Sequence, residues 1–443
     1  MKIKDNILHF VLGAAVVLSV GLSAILWVNP TYLQNNSKET TSSVSKSNGS
    51  GDDQTTKTKL SDIYKPTSVI YNHGGHSYVQ SSVKLDVIEK VRQDTRTWKV
   101  KDAGSTKKYS EKKYQSLLRR DQMAFLTFSD EITSSEVTDL QQKTVQALRG
   151  KKFNRVAIQF NKKKPQVYLL NDADRHVTKI SLSQGTFTNL RKIVAAKETK
   201  ETPIDIKKLN DQYVIFYLSS VNVRQYSYLA TKDSASIFVT RLMGSSNSSV
   251  NSRREDQQMI YYDNSGQRMA VSSKTGAVDY SSYSRDSTAN HSLSSELKQG
   301  FSRLQDTDRQ LDDVRYDEYN ANNRQVTYRT YINTYPILAD DNYGTYQLSL
   351  GGTGSEHIGF SLYFLQVPVP SSKESVELSP TQQVLDKLTQ SGISQKKING
   401  IRIGYQRAVN DTSKQVVDLV PTYFVLYNGS WTPYQDILNG KVS

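Results

Sequence analysis

A continuous apolar stretch at residues 7–28 constrains this chain more than any other feature of its sequence. Its 22 residues carry no formal charge. As a helix they would extend roughly 33 Å, enough to cross a hydrocarbon core about 30 Å thick. Trp27 suits the headgroup layer, and Asn29 with Pro30 would end the helix. The sequence therefore predicts one transmembrane helix near the N-terminus.

A cleaved secretory signal is the alternative interpretation of residues 7–28. The apolar region of such a signal is about 7–15 residues long and precedes small residues at the cleavage site. Here the run is longer and ends in the sequence ILWV, which favours an uncleaved anchor. Lys2 and Lys4 favour a cytoplasmic N-terminus, and no later stretch is apolar enough to return. Both interpretations place the C-terminal domains outside the cytoplasm.

Composition narrows the classes of partner and site. The formal net charge is +14, and residues 1–29 contribute +1 of it, which leaves +13 for the exported part. Such a surface attracts anionic polymers or lipid headgroups, and nucleic acid is not expected outside the cell. With no cysteine, the chain has no disulfide, thiolate metal site or cysteine nucleophile. The 27 tyrosines suit half-exposed strands whose hydroxyls stay hydrated.

The rest of the chain divides into a tether and folded domains. Residues 30–58 are rich in Ser, Thr, Asn and Gly and predict a flexible tether. Beyond them, alternating strands, short turns and few long helices predict antiparallel α+β domains. We place three extracytoplasmic domains at 59–200, 201–295 and 296–443.

Two helices have recognisable termini in the sequence. Thr133 and Glu136 form a capping-box pattern, which predicts a helix that ends at Gly150. Ser379 is expected to cap a second helix, with a proline at its first position and Gly392 after its end.

Residue patterns that could supply catalysis or metal binding are weak. His73 and His76 flank the glycines of a predicted hairpin turn and lack a nearby third ligand. The glycine-rich run 351–355 lacks the Lys-Ser/Thr ending of a phosphate loop. The acidic pairs 312–313 and 340–341 are interpreted as solvated turn charges, and His176, His291 and His357 belong to no recognisable catalytic motif. We therefore expect no enzyme, cofactor or metal.

The predicted transmembrane helix carries small residues along one face. That face is formed by Ala14, Val17, Gly21, Ala24 and Val28, which follow seven-residue spacing. Small side chains there would let a second helix approach closely. A monomeric anchor in which these residues coincide by chance is the alternative, and the sequence alone does not choose between them.

Short motifs recur in a fixed order along nearly the whole chain. After the helix ending in Trp27 they are YKPTSVI at 64–70, the arginines 253–254 before IYY at 260–262, GAVDY at 276–280, VTYR at 326–329, YPI at 335–337, IGY at 403–405, LVPTY at 419–423 and YNGSW at 427–431. Their order, spacing and total length resemble the YycH family of two-component-system regulatory proteins from low-GC Gram-positive bacteria. Tyr423 stands where the family pattern has an aromatic such as Trp, and 361–365 lacks a frequent arginine.

This resemblance implies a single-pass regulator of the sensor histidine kinase WalK, also called YycG, which controls cell-wall metabolism. It implies partnership with the sister protein YycI, contacts through transmembrane helices, later domains related to YycI, and no catalytic residues. The alternative is an extracytoplasmic protein that binds teichoic acid or lipid headgroups through its +13 surface. A wall hydrolase is disfavoured because no motif supplies its acid, base or metal.

Overall fold

The computed structural model describes residues 58–82, 84–137, 146–160, 165–196, 199–244, 249–283, 291–307, 311, 313–339, 341–349, 355–371 and 374–441. They belong to one compact unit, Thr58–Ser443, and a second unit, Met1–Lys57, contains the predicted membrane helix 7–28. That helix and the predicted tether up to residue 57 lie outside the described residues. Among the residues described, no helix is both long and apolar enough to span a membrane.

Most helices of the described residues are short. Asp86 and Ser110 cap two of them, since each side chain accepts a hydrogen bond from the backbone N–H three residues later. In chain order the α-helices are α1 Leu60–Ile63, α2 Val87–Thr95, α3 Glu111–Leu118, α4 Thr188–Ala195, α5 Ala235–Phe238, α6 Leu293–Asp306, α7 Thr381–Gln390 and α8 Tyr434–Leu438. Other helical turns occupy Gln146–Leu148, Val239–Met243 and Gln395–Lys397.

Two predicted helix starts differ from the structure. Thr133 is the last residue of a strand, and the described residues 134–137 form turns, whereas residues 138–145 of the predicted helix lie outside the described residues. Glu136 still accepts hydrogen bonds from the Thr133 backbone N–H and hydroxyl, each at 2.7 Å, because the same spacing closes a turn. At the later helix, Pro380 rather than Ser379 is the capping residue, since its extended backbone precedes Thr381–Gln390.

Antiparallel strands form most of the described structure. The first group is β1 Ser68–His73, β2 His76–Ser81, β3 Lys99–Ala103, β4 Lys107–Lys108, β5 Met123–Thr133, β6 Lys152–Gln159, β7 Gln166–Asn171, β8 His176–Gln184, β9 Lys200–Leu209 and β10 Gln212–Tyr217. The next is β11 Val221–Arg224, β12 Tyr226–Lys232, β13 Asn251–Glu255, β14 Gln258–Tyr262, β15 Arg268–Ser272 and β16 Ala277–Tyr283. The last is β17 Val314–Asn320, β18 Gln325–Ile332, β19 Tyr335–Pro336, β20 Thr345–Ser349, β21 Ser355–Ser361, β22 Tyr363–Val369, β23 Ser375–Leu378, β24 Ile398–Val409, β25 Val416–Tyr427 and β26 Ser430–Pro433.

The described strands assemble into four sheets. Sheet 1 has the order β10-β9-β2-β1-β5-β6-β7-β8-β3, and β4 also pairs with β8. Sheet 2 is β11-β23, and sheet 3 is β22-β12-β25-β24 with β26 beside β25. Sheet 4 is β13-β14-β15-β16-β21-β20-β18-β17 with β19 beside β18. The predicted α+β class with antiparallel sheets is therefore confirmed.

Sheet 1 continues past the predicted boundary at residue 200. Strand β9 follows that boundary in the chain, yet it pairs with β2, so that Ile204 lies opposite Ser77. Sheet 3 likewise pairs β12 with the much later strands β22 and β25. The division into domains at 59–200, 201–295 and 296–443 stays a prediction.

Strand β5 contributes to two hydrophobic cores because successive side chains of a strand point to opposite faces. Leu126 belongs to one core together with Leu297 of α6 and Tyr328 of sheet 4. Its neighbour Phe125 packs in the second core, which includes Leu117 of α3 and the inner residues of β24. Sheet 1 thus lies between two layers built largely from later parts of the chain.

Tyrosines are buried more deeply than the sequence predicted. Several are among the largest fully buried side chains: Tyr64, Tyr114, Tyr328, Tyr331, Tyr343, Tyr405 and Tyr423. The hydroxyls of Tyr64, Tyr114 and Tyr331 are hydrogen-bonded to protein groups, which replaces the water that a half-exposed strand would provide. Distant partners, which no local pattern reveals, make this burial favourable.

Candidate functional site at the attachment segment

The first described residues of the folded unit are held by distant parts of the chain. We call residues 58–66 the attachment segment. The Gln305 side chain of α6 donates a hydrogen bond to the Thr58 carbonyl oxygen at 3.0 Å. The Tyr64 hydroxyl donates to the Leu297 carbonyl oxygen of α6 at 2.7 Å and lies 2.7 Å from the Tyr328 hydroxyl of β18. The segment therefore packs against sheet 4 as well as sheet 1.

Helix α2 holds the attachment segment from another side. The guanidinium of Arg92 donates to the Ser61 carbonyl oxygen at 3.0 Å and to the Asp62 carboxylate at 2.8 Å. It also donates to Glu89 on its own helix at 2.8 Å. Because Arg92 is buried, these charge-assisted bonds are stronger than their exposed equivalents. Helix α1 is thus fixed from α2 and from α6.

Lys65 brings a positive charge into this packed region. Its ammonium nitrogen lies 3.3 Å from Asp313 Oδ1, and its side chain is only 14% exposed. Burial lowers the pKa of Lys65 and the nearby charge of Arg315 lowers it further, whereas Asp313 raises it. The Arg315 guanidinium lies 4.8 Å from the centroid of the Tyr331 ring. Lys65 and Arg315 therefore share the carboxylate of Asp313, and Arg315 also lies over the Tyr331 ring.

A second charged cluster joins three sheets, and we call it the Asp317 junction. Arg402 of sheet 3 donates two hydrogen bonds to the carboxylate of Asp317 in sheet 4, both at 2.8 Å. Arg329 adds a third at 2.8 Å. The Tyr331 hydroxyl donates to Asp317 at 2.9 Å and lies 2.7 Å from the hydroxyl of Ser129 in sheet 1. One buried carboxylate thus connects sheets 1, 3 and 4.

The electrostatics of the Asp317 junction favour the ionised carboxylate. Burial alone would raise the pKa of Asp317, but Arg402 and Arg329 hold it below its usual range. Arg402 also lies 4.0 Å from the centroid of the Trp431 ring, which gives its charge a second partner. A buried carboxylate with matched cations fixes the relative position of the elements that carry them.

Asp130 lies beside this junction, between sheets 1 and 4. It accepts a hydrogen bond from the Tyr319 backbone N–H at 2.8 Å, and the Tyr316 hydroxyl lies 3.4 Å away. Burial raises the pKa of Asp130 to about 6, although backbone hydrogen bonds from Tyr319 and Glu131 lower it. The neighbouring carboxylates of Glu131 and Glu318 raise it further. The pKa of this acid therefore lies above the usual range of an aspartate.

The predicted transmembrane face lies entirely outside the described residues. It comprises Ala14, Val17, Gly21, Ala24 and Val28. The glycine-rich residues 351–354 also lie outside them, as do Asp312 and Asp340 of the two acidic pairs. Of the remaining acids, Asp313 contacts Lys65 and Asp341 contacts Arg407, so both pair with cations.

The histidines are dispersed over the described structure. The Nε2 atom of His73 lies 3.1 Å from both carboxylate oxygens of Glu201, and its ring stacks on Tyr78 with centroids 4.6 Å apart. His176 contacts Asp174, and His291 contacts Glu296. No group of three His, Asp or Glu among the described residues is arranged to hold a metal ion.

The sequence motifs include Tyr64 of the attachment segment and Tyr328 of β18, but they do not indicate that the two residues meet. The YKPTSVI motif begins at Tyr64, but its partners on α6 and β18 are more than 200 residues away. Helix α6 could have been predicted from the sequence, because Leu293, Leu297 and Leu304 follow helical spacing after the capping residue Ser292.

Two family models match nearly the whole chain. The model described as YycH protein, N-terminal domain, matches residues 5–199, and the model described as YycH protein, C-terminal domain, matches residues 212–439. The chain belongs to the YycH family. The resemblance seen in the sequence is thereby confirmed. The sequence matches no protein of curated function.

The fold is also similar to that of a solved family member. The crystal structure of YycH from Bacillus subtilis superposes with a TM-score of 0.67 at 14% sequence identity. The similarity covers 86% of this chain and 98% of the Bacillus subtilis chain. At this identity the match supports the fold alone.

Family membership defines the general class of this protein. YycH proteins are regulators of the WalK/YycG two-component system, and the family is one of regulatory proteins rather than enzymes. They are membrane-associated and have an extracellular domain. The Asp317 junction and the attachment segment are therefore features of a protein of a regulatory family.

Proposed function

We propose that this protein is a non-enzymatic, membrane-anchored regulator of the sensor histidine kinase WalK/YycG that acts together with YycI in cell-wall homeostasis. The matches to both YycH domain models carry the proposal. In it, the N-terminus is cytoplasmic, residues 7–28 cross the membrane once, and the α+β domains lie outside. The apolar stretch and the lysines before it support that topology.

The proposed working surface is the small-residue face of the predicted transmembrane helix. Close packing at Gly21 and Ala24 would place the helix against kinase helices. To regulate, the helix must bind the two signalling states of the kinase with unequal free energy. Contacts of the extracytoplasmic domains with YycI or the kinase then bias that packing.

In this proposal, the attachment segment is where such a bias leaves the folded unit toward the membrane helix. Its buried residues Ile63 and Tyr64 are less than 2% exposed, so they have little freedom relative to α6 and β18. The segment therefore offers a firm connection between the linked sheets and the first described residues of the folded unit. This supports signalling through both the helix and the extracytoplasmic domains.

The test compares two helix faces in the full-length protein. The variant Gly21→Leu with Ala24→Leu fills the small-residue face, and Ala15→Leu with Ser19→Leu adds leucines to the opposite face. We expect the first variant to change kinase-dependent reporter output about fivefold or more, a typical coupling between sites. The second should behave like the unmodified protein.

Co-purification separates binding from signalling in the same cells. The first variant should retain less WalK and YycI from membranes, and the control should retain both. If both variants give unchanged output and undiminished retention, the proposed helix face is wrong. If both lose the kinase equally, insertion of the helix rather than its face decides the result.

A further inference from the structure

The outer edge of sheet 1 is rich in lysine. Strands β3 and β4 form this edge, both paired with β8, and helix α3 begins shortly after β4. We call the exposed lysines of this region the lysine edge: Lys99, Lys101, Lys107, Lys108, Lys112, Lys113 and Lys179. The edge strand is therefore marked by positive charge along its length.

The charges of the lysine edge are not neutralised within the described structure. Among the described residues, none of its seven ammonium groups forms an ion pair with a carboxylate. Two acids lie in the same region, Asp102 and Glu111, and Glu111 already contacts Lys208 at 3.5 Å. Lys113 instead lies 4.1 Å from the centroid of the Tyr109 ring. The region thus carries an excess of exposed positive charge.

Five lysines of the lysine edge lie on adjacent strands, and the other two, Lys112 and Lys113, lie in the first turn of α3. The partner strand β8 has nine residues, which extend about 30 Å at the usual rise of a strand. Alternate residues along it are roughly 7 Å apart, which is within the Debye length of about 8 Å at physiological ionic strength. A flexible chain with regularly spaced negative charges can contact several of these ammonium groups at once.

We propose that the lysine edge binds a linear phosphodiester polymer of the cell envelope. Each phosphate would pair with one or two ammonium groups, and the exposed strand would provide the track. A linear polyanion fits a row of charges on a sheet edge better than a flat bilayer does. The inference rests on the charge and topology of sheet 1 and is independent of the proposed kinase regulation.

Lysines on edge strands also prevent sheets from joining edge to edge. This alternative makes a different prediction, because removal of the charges would then change self-association rather than polymer binding. The experiment must therefore follow both properties in the same samples.

The test uses the full-length protein in phosphatidylcholine nanodiscs, with fluorescent deacylated poly(glycerol phosphate) as the probe. The edge variant replaces Lys107, Lys108, Lys112 and Lys113 by glutamine. The control variant replaces four exposed lysines elsewhere, Lys387, Lys396, Lys397 and Lys414, so the net charge is the same. Equal melting temperatures would show that both variants are folded.

We expect the edge variant to bind the polymer at least ~10-fold more weakly, because four modest ion pairs are lost together. The control should change binding less than about twofold, and added salt should weaken the unmodified protein most. Equal losses in both variants, or no binding at low salt, would overturn the proposal. Polymer binding that is unchanged while the edge variant self-associates would assign the lysines to edge protection.

A second arm distinguishes the source of the phosphate. Co-flotation of the nanodiscs with phosphatidylglycerol vesicles measures attraction to an anionic bilayer. The proposal expects weak flotation that is similar in the edge and control variants. Strong flotation that only the edge variant loses, with weak polymer binding, would assign the lysine edge to the membrane surface and overturn the polymer assignment.

Discussion

Asp317 and Arg402 meet across two sheets in a bidentate ion pair, with both nitrogen–oxygen distances at 2.8 Å. The carboxylate side chain is fully buried, whereas that of Arg402 is 22% exposed. Replacing Asp317 would leave Arg402 and Arg329 without their shared partner. The pair therefore makes the arrangement of sheets 3 and 4 sensitive to a single substitution.

Asp317→Asn should lower the free energy of unfolding by about 3–5 kcal/mol, because it leaves two largely buried cations uncompensated. Urea denaturation measures the change. Asp411→Asn is the control, since Asp411 is exposed and its replacement should cost no more than about 1 kcal/mol. Equal effects of the two substitutions would contradict the central role of Asp317.

The same ion pairs predict a dependence of stability on acid. The pKa of Asp317 is below its usual range in the folded state, so its contribution to stability is fully present above the unfolded pKa of about 3.9. It is lost as the pH falls below that value. In a plot of melting temperature against pH, the decrease at acidic pH should be smaller for Asp317→Asn than for the unmodified protein.

Asp130 predicts a dependence of the opposite sign. Its pKa is raised to about 6, so between the unfolded pKa and that value the folded state binds more protons. Stability should therefore fall by roughly 1–3 kcal/mol as the pH rises from about 4 to 7. Asp130→Asn should remove this loss, because an amide oxygen still accepts from the Tyr319 N–H without carrying charge.

The measurement for Asp130 is the melting temperature of the unmodified protein and the variant across this pH range. Asp86→Asn is a suitable control, because Asp86 is an exposed helix cap away from sheet 4. A variant that keeps the original loss between pH 4 and 7 would show that another group titrates there.

Tyr64→Phe should lower the free energy of unfolding by about 1–2 kcal/mol, because the Leu297 carbonyl oxygen loses the hydrogen bond from the Tyr64 hydroxyl. A double-mutant cycle with Tyr328→Phe should show a coupling of at least ~0.5 kcal/mol, since the two hydroxyls are in contact. Tyr283→Phe is the control, as this side chain is 77% exposed. Additive effects of the Tyr64 and Tyr328 substitutions would contradict the contact.

Gly404→Ala tests the approach of β24 to β19. An added Cβ would lie 2.7 Å from Leu338 Cδ1 and 3.0 Å from the Pro336 carbonyl oxygen. The backbone at Pro336 cannot move without disturbing its strand, so we expect a loss of about 1–3 kcal/mol in unfolding free energy. Gly104→Ala is the matched control, because its Cβ would make an ordinary 3.6 Å contact. Similar losses in both variants would rule out the close approach as the cause.

Local elements of this fold could be predicted, because their signals lie within a few residues. The hairpin of β1 and β2 follows from Gly74 and Gly75, whose positive φ angles of 60° and 78° allow a two-residue turn. The meander β14–β16 follows from short turns between alternating strands. The predicted helix start at Thr133 was wrong because the same spacing also closes a turn.

Non-local relationships could not be predicted in this way. Asp317 and Arg402 are 85 residues apart, and neither belongs to a motif that suggests a partner. Ile204 of β9 lies opposite Ser77 of β2, and no pattern within β9 indicates that neighbour. The candidate site consists almost entirely of such long-range contacts, whereas the membrane helix was predicted from one continuous stretch.

The attachment segment has a mechanical consequence. Tension that enters the folded unit at Thr58 meets the hydrogen bond from Gln305 first and then the buried Tyr64. Because these contacts reach α6 and β18, the N-terminal segment shares the load with much later parts of the chain. Strand β1 can separate from sheet 1 only after these contacts break. The folded unit would therefore resist extension from its N-terminal end until these buried contacts break.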